Sequence, residues 1–380
     1  MREARRPKAT PTIYDVARRA GVSIASVSRV LNGQGSPRVE TRKRVMGAVR
    51  ELSFVPDGAA RALSNQLKQV VGVVFRRGVD VPFEDEDESL LFIDVINRGI
   101  EVAAQHRGFD VLMSSVGVQE SDVSVRLSAI AGKADGLILH DRMLPAVELT
   151  RLAEIVPIVT LAGRPARGTT NVSCDNASGM RALVRHLVGD HGYRHIAYLS
   201  GHADSPDNQA RAGAFEEEAR ALKAQYEFGP AWQGNYSAAG GAMIVASLLD
   251  DGKTLPRAIL CANDQTALGV MYALSTRGIA VPGDVAVTGF DDVPVARHLH
   301  PTLTTVRQPI QEMGATAFDV LYSRISAARG ARHVVLPVKL IVRESCGCRQ
   351  PLPYPPPEPG SPRAGERGGE GEGNPRRRSA

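Results

Sequence analysis

The sequence predicts two fold classes on one chain: a small all-α unit at the N-terminus, then a large α/β body built on parallel sheets. Three observations support this. Residues 12–56 carry apolar side chains at helical spacing. From residue 70 onward, short apolar runs alternate with amphipathic stretches of roughly 10–15 residues, the rhythm of strand–helix–strand units. Charge divides near the same border. Residues 1–68 hold 14 Lys and Arg against 5 Asp and Glu, a net +9 in a chain of net +5, so the remainder carries −4. A basic head on a mildly acidic body suits a unit that neutralises phosphates joined to one that does not. A solvated basic tail is the alternative that charge alone leaves open.

At 380 residues the chain exceeds one core, and 43% hydrophobic content suffices for two or three. No apolar run approaches the ~18 residues of a membrane span, and the basic opening MREARRPKATP leads into no apolar export segment. The expectation is a cytoplasmic, nucleoid-associated protein with no membrane partner. Cys174, Cys261, Cys346 and Cys348 are too few for a disulfide framework. The close pair Cys346 and Cys348 has no second pair at zinc spacing nearby, so reduced thiols, no metal and no cofactor are expected.

In the head, Ile13, Val16, Ala17 and Ala20 follow the i, i+3, i+4, i+7 pattern of a short helix, which Gly21 breaks. Ser23 is a good N-cap for a second helix that turns Val27, Val30 and Leu31 inward and ends near Asn32 and Gly33. Two short helices about a glycine turn form a helix-turn-helix, whose second helix enters the major groove. That geometry turns Ile24, Ala25, Ser26, Ser28 and Arg29 toward base edges. Arg29 can pair with a guanine edge, and Ile24 and Ala25 can meet thymine methyls. Thr12, Tyr14, Ser23 and Asn32 complete the candidate DNA-contacting set of the head. Residues 38–52 read as a third helix, with Val45, Val49 and Leu52 buried and Arg42, Lys43 and Arg44 available for phosphates. The segment DGAARALSNQLKQ that follows is helix-prone but has little apolar surface of its own.

IYDVARRAGVSIASVSRVLN and VPDGAARAL resemble the opening and hinge of the lactose-repressor (LacI/GalR) family, with Ser26 where the family usually has threonine. The resemblance implies a hinge helix that forms in the minor groove of operator DNA, with Ala60 close to the groove and Leu63 as the wedge between base pairs. An ordinary linker leucine is the alternative for Leu63. It also implies a homodimer, or a tetramer built from dimers, on a near-palindromic operator. Repressor is the family default.

The expected strands of the body are 70–75, 110–115, 136–140, 157–161, 195–200, 258–262 and 285–290. Helices are expected over 92–105, 178–188, 209–224, 237–249, 265–276 and 310–328. Such alternation means parallel sheets covered on both faces, with ligands at the carboxyl ends of strands. The body also resembles the family core, which is similar to periplasmic sugar-binding proteins: two doubly wound parallel-sheet subdomains with a ligand cleft between them. On that basis the surviving family motifs assign Arg211 (from R-x-x-G/A-F), Tyr236 (from NYS), Asn263 (from ANDQxAxG), Asp291 (from GFDD) and Asp175 (from VxxDNxxG) to a small-molecule effector, a sugar or sugar derivative. Asn263 and Asp291 are equally the residue types that cap helices, and Tyr236 could staple a helix start. Where the family has an apolar N-P-F-F, this chain has FEDEDESLLF, whose acidic run Glu84–Glu88 reads as a solvated loop.

Asp251-Gly252-Lys253-Thr254 lacks the upstream glycine of a phosphate-binding loop, and no nucleophile elbow or H-E-x-x-H occurs. The expectation is therefore no enzyme; an enzyme or an exported-type solute-binding protein on the same α/β core is the alternative. His140, His186, His191, His195, His298 and His300 read as surface residues or residues behind the site. The expected organisation is a disordered basic arm (1–11), the helix-turn-helix domain (12–56), the hinge (57–69), the core (70–346) and a disordered Pro/Gly-rich tail (347–380). Effector closure of the cleft would shift the spacing of the two hinge helices in the dimer.

Overall fold

The computed structural model describes residues 11–31, 36–54, 67–77, 90–117, 122–140, 142–327 and 333–348. Asn32, Ala60, Leu63, the acidic run, and nearly all of the basic arm, hinge and tail lie outside the described residues.

Among the described residues the head forms three helices: α1 (Ile13–Ala20), α2 (Ile24–Leu31) and α3 (Val39–Leu52). Their apolar stripes meet in one cluster around Val16, Ala17, Ala20, Val27, Val30, Val45 and Ala48. Asp15 opens α1 by accepting from Thr12 N (2.9 Å) and Thr12 Oγ1 (2.7 Å). Gly21 closes it in the left-handed conformation (φ 61), which only glycine adopts cheaply. The turn is then locked from outside: Arg44 Nε donates to Ala20 O at 2.9 Å, and its Nη2 reaches both Ala20 O and Gly21 O. The sequence leaves Arg44 available for phosphates along with Arg42 and Lys43. Arg44 is instead a C-cap, because two orphan helix carbonyls outcompete solvent for a guanidinium already held beside them.

The described residues of the body form two parallel sheets. The first runs β11-β5-β4-β3-β1-β2, from β1 (Val70–Arg77), β2 (Asp110–Gly117), β3 (Gly136–Leu139), β4 (Ile158–Leu161), β5 (Thr169–Cys174) and β11 (His333–Leu336). The second runs β7-β6-β8-β9, from β6 (His195–Leu199), β7 (Gln225–Glu227), β8 (Ala258–Cys261) and β9 (Ala286–Thr288). Every pairing within these two sheets is parallel. In the first lobe, α4 (Leu90–His106), α5 (Val123–Ala131) and α6 (Ala146–Ala153) join the strands; in the second, α8 (Pro206–Ala221), α9 (Ala238–Asp250) and α10 (Asp264–Thr276) do so.

The expected two lobes are thus present, and the chain passes between them repeatedly. It leaves the first lobe through α7 (Asn176–Val184), which runs on as a π turn over Arg185–Asp190. It returns from β9 through β10 (Thr305–Arg307) and α11 (Ile310–Ala327), which packs on α4. After β11 it leaves again through β12 (Lys339–Ile341), which pairs antiparallel with β10. One apolar cluster continues across both lobes and these crossovers, joining Val71, Ile138 and Phe318 to Ile196, Phe215 and Phe290. Among the described residues no helix is long and apolar enough to cross a membrane.

Candidate functional sites: a helical DNA-binding face and an interlobe cleft

On the head, Tyr14 (63% exposed) and Ile24 (41% exposed) present large apolar surface to solvent around the turn between α1 and α2. Thr12, Ser23, Ala25 and Arg29 are also exposed, whereas Ser26 and Ser28 are half-buried. Ser23 caps α2 through Ser26 N (3.2 Å), and the two hydroxyls lie 2.9 Å apart. Arg29 Nε donates to Ala25 O at 3.2 Å, which steadies the side chain along the outer face of α2. Every described residue of the expected contact set is thus exposed or half-buried, and Tyr14, Ser23 and Ile24 line one shallow hollow beside the turn. Arg42 and Lys43 are exposed on α3, while Arg44 is spent on α1.

The body holds a cavity of about 180 Å³ between the lobes, a concave, mostly apolar hollow with a few convergent polar groups, as small-molecule sites are. Its position follows from topology. Strand order reverses between β1 and β3 in one sheet and between β6 and β8 in the other, and the cavity is lined from the carboxyl ends of those strands by Phe75, Arg76, His140, His202 and Asn263. Four of the five expected effector residues line it: Arg211, Tyr236, Asn263 and Asp291.

Arg211 is 3% exposed, with its guanidinium 3.7 Å above the Phe290 ring. Nε donates to Asn176 Oδ1 (2.7 Å) and Nη1 donates to Ala262 O, while Nη2 stays 3.9 Å from Asp207, beyond hydrogen-bond length. That nitrogen keeps donors for a ligand oxygen. Asp291 is 5% exposed, with φ at 126, a left-handed conformation that a non-glycine residue holds only when its surroundings impose it. Burial pushes its carboxyl up, Arg211 and Gln308 draw it back, and it settles at about 7. Asn263 is both cap and wall: Oδ1 accepts from Thr266 N (2.9 Å) and Thr266 Oγ1 (2.6 Å), and Nδ2 donates to Tyr236 O (3.0 Å). Tyr236 lies against the Gly201 backbone, where an added Cβ would fall 2.2 Å from its ring. Its Oη and Ser205 Oγ are 3.3 Å apart.

Asp175 does not line the cavity. Its carboxylate accepts from Ser178 N at 3.1 Å and caps α7, because a helix starts immediately after it and offers orphan N–H groups.

Several wall residues escaped the sequence reading. Phe75, Phe92 and Ile93 supply the apolar side that the family's N-P-F-F would give. His140 Nε2 is shielded from solvent with no partner among the described residues, and burial lowers the ring to about 4, so it stays neutral. His202 is likewise lowered to about 4, by burial and by Arg142. Asp207 and Gln308 complete the polar side. A signal existed for two of these: Phe75 and His140 are the last residues of their predicted strands, where ligands meet such sheets.

Residues 12–57 match the model of bacterial regulatory proteins of the lacI family, and residues 184–346 match a periplasmic binding protein-like domain. The chain is 33% identical over 348 residues to the HTH-type transcriptional regulator GalS of Salmonella typhimurium, covering 89% of this chain and 97% of that protein. It is 30% identical over 343 residues to catabolite control protein A of Priestia megaterium, covering 88% and 98%. The structure of the lac repressor dimer bound to operator and the anti-inducer ONPF aligns with a TM-score of 0.73 at 28% identity, covering 88% of this chain and 99% of that one. The transcriptional regulator CelR in complex with cellobiose aligns with a TM-score of 0.63 at 30% identity, covering 88% and 99%. The chain belongs to the lacI family of bacterial transcriptional regulators, with a helix-turn-helix head and a periplasmic-binding-like effector domain.

Proposed function

We propose that the protein is a cytoplasmic repressor, active as a homodimer on near-palindromic DNA, whose grip is set by a sugar or sugar derivative held between the lobes, without catalysis. The observation that carries the effector class is that buried Arg211 and buried Asp291 line the same cavity as Tyr236, Phe75 and Phe92. Ring hydroxyls need both a donor and an acceptor shielded from water, and the apolar face of a sugar ring packs on aromatics. The neutral His140 Nε2 offers one more polar contact. The cellobiose complex of CelR supports the same class by likeness. In this reading, Tyr14, Ile24, Ala25 and Arg29 read bases in the major groove, Thr12, Ser23, Ser26, Ser28 and Asn32 assist them, and Ala60 and Leu63 enter the minor groove.

Thermal-shift and calorimetric screening of the full chain against sugars, amino sugars and nucleosides tests this. A sugar that binds and shifts the melting temperature is expected. Binding of nucleosides with no response to any sugar would overturn the effector class.

A further inference from the structure

Apart from the cleft, one cluster of chemically potent side chains stands out. His186 and His191 sit at the π turn after α7, and Cys346 and Cys348 lie in the last described residues, yet their four ligand atoms all fall within 4.8 Å of one another. From sequence alone these histidines read as surface residues or residues behind the site, and the cysteines have no second pair near them in the chain. Local geometry explains the difference. Residues five apart on a regular α-helix point roughly 140° away from each other. The π turn replaces this with an i→i+5 bond, His191 N to His186 O at 3.2 Å, and stacks the two residues on one side. On the opposing segment, Gly347 holds φ 104, which L side chains rarely adopt, and an added Cβ would sit 2.8 Å from Tyr193 Oη. Tyr193 Oη also donates to Cys346 O at 2.9 Å, seating the Cys-Gly-Cys loop over the histidines.

Four of the six ligand-to-ligand distances approach those of a tetrahedron, and all six stay within 4.8 Å. Bonds of about 2.3 Å to sulfur and 2.0–2.1 Å to nitrogen require about 3.4 Å between nitrogens and about 3.6 Å between nitrogen and sulfur. His186 Nε2 and His191 Nε2 are 3.3 Å apart. His186 Nε2 lies 3.3 Å from Cys346 Sγ and 3.8 Å from Cys348 Sγ, and His191 Nε2 lies 3.3 Å from Cys348 Sγ. Behind the ligands, Asp190 Oδ2 meets His186 Nδ1 at 2.9 Å, so Nδ1 holds the proton and Nε2 presents its lone pair. Thr304 Oγ1 donates to Cys346 Sγ at 3.1 Å, a bond that favours the thiolate.

We propose that His186, His191, Cys346 and Cys348 bind one zinc ion through both Nε2 and both Sγ atoms. Two thiolates and two imidazoles favour zinc over hard oxygen-seeking cations, and four protein ligands leave no open position, which makes the site structural rather than catalytic. The ion joins the end of the first crossover to the end of the last, where Arg343 also reaches Asp292. It thereby fastens the segments on which the lobes pivot.

Full-length protein, made without a histidine tag and passed into metal-free buffer, is assayed for metal by plasma mass spectrometry. About one zinc per chain is expected, as for a structural site. Stripping it should lower the melting temperature, and zinc alone should restore it, whichever effector binds. Cobalt in its place should give the visible bands of tetrahedral thiolate ligation. Cys348→Ser and His191→Gln should abolish uptake. Asp190→Asn, which leaves all four ligands and removes only the hydrogen bond behind His186, should weaken zinc affinity about 10- to 100-fold. Protein that neither carries zinc nor takes it up, a Cys346–Cys348 disulfide in freshly isolated protein, or zinc retained by both ligand variants would overturn the proposal.

Discussion

Arg211 Nε donates to Asn176 Oδ1 at 2.7 Å, so the cation facing the cleft is bonded to the first residue of the helix by which the chain leaves the first lobe. Asn176 Nδ2 in turn donates to Cys174 O, the end of β5. Gln308 makes the matching link at the return crossover, donating to Asp291 and accepting from the Cys174 thiol. Arg211 and Asp291 are thus each one hydrogen-bonded step from a crossover, so in the proposed function a ligand held by both would load both crossovers at once.

Arg211→Lys tests the donor geometry. An ammonium cannot bond Asn176, Ala262 and a ligand together as the guanidinium fork does. Effector affinity should fall about ten- to a hundred-fold, the ~1.5–3 kcal/mol of one charged hydrogen bond, in calorimetric titration. Operator binding without effector should persist.

Asp291 sets a pH dependence. Its folded value is about 7 against 3.8 for the free group, so the native chain holds a proton that the unfolded chain has released between those values. Stability of the ligand-free protein should decline from this group as pH rises through that window and level off above it. Asp291→Asn, which tolerates the positive φ, should remove the slope and stabilise the ligand-free chain at pH 7. Affinity for a hydroxyl-donating effector has the opposite sign: about ten-fold weaker one pH unit below 7 than one unit above, because only the carboxylate accepts both donors. His140 and His202, both lowered to about 4, are neutral from about pH 5 upward and so do not contribute to the change around pH 7.

Asp292 anchors the crossovers. Its side chain is 1% exposed and meets Arg343, Arg307 Nε (2.6 Å) and Arg297 Nη2 (4.0 Å). Asp292→Asn leaves buried Arg343 without its counter-charge and should destabilise the core by about 3 kcal/mol, read from the urea midpoint.

The head separates two arginine roles. Arg29→Ala should cost about 1–3 kcal/mol of specific DNA affinity and relax base preference at one position. Arg44→Gln should lower the melting temperature of the head yet leave the slope of log affinity against log salt unchanged, since Arg44 bonds helix carbonyls rather than phosphates. A slope reduced by about one unit would return Arg44 to the DNA interface.

Much of this was legible in the residues. VVGVVF, GLILH and AILCA announce buried parallel strands because they are short, β-branched or aliphatic runs set between helical stretches, which suits a sheet covered on both faces. TTNVSC did not: Thr169, Thr170 and Asn171 are polar, and their burial in β5 depends on neighbours far along the chain. β10 and β12 span three residues each, too short for any periodicity. At the cleft, Arg211 and Asp291 were readable through motif likeness, whereas Asp175 carries the same kind of motif and only caps a helix. The histidine–cysteine cluster was invisible because 160 residues separate His186 from Cys346, and a π turn carries no sequence signature.

Fluorescence anisotropy of full-length protein on DNA selected from a random library, titrated with a sugar found to bind the cleft, tests the central claim most directly. Coupling between cleft and head predicts an operator affinity change of about 5- to 150-fold in wild type, and none in Asp291→Asn at the same sugar concentration. Saturation of the wild-type cleft with no change in operator affinity would contradict it.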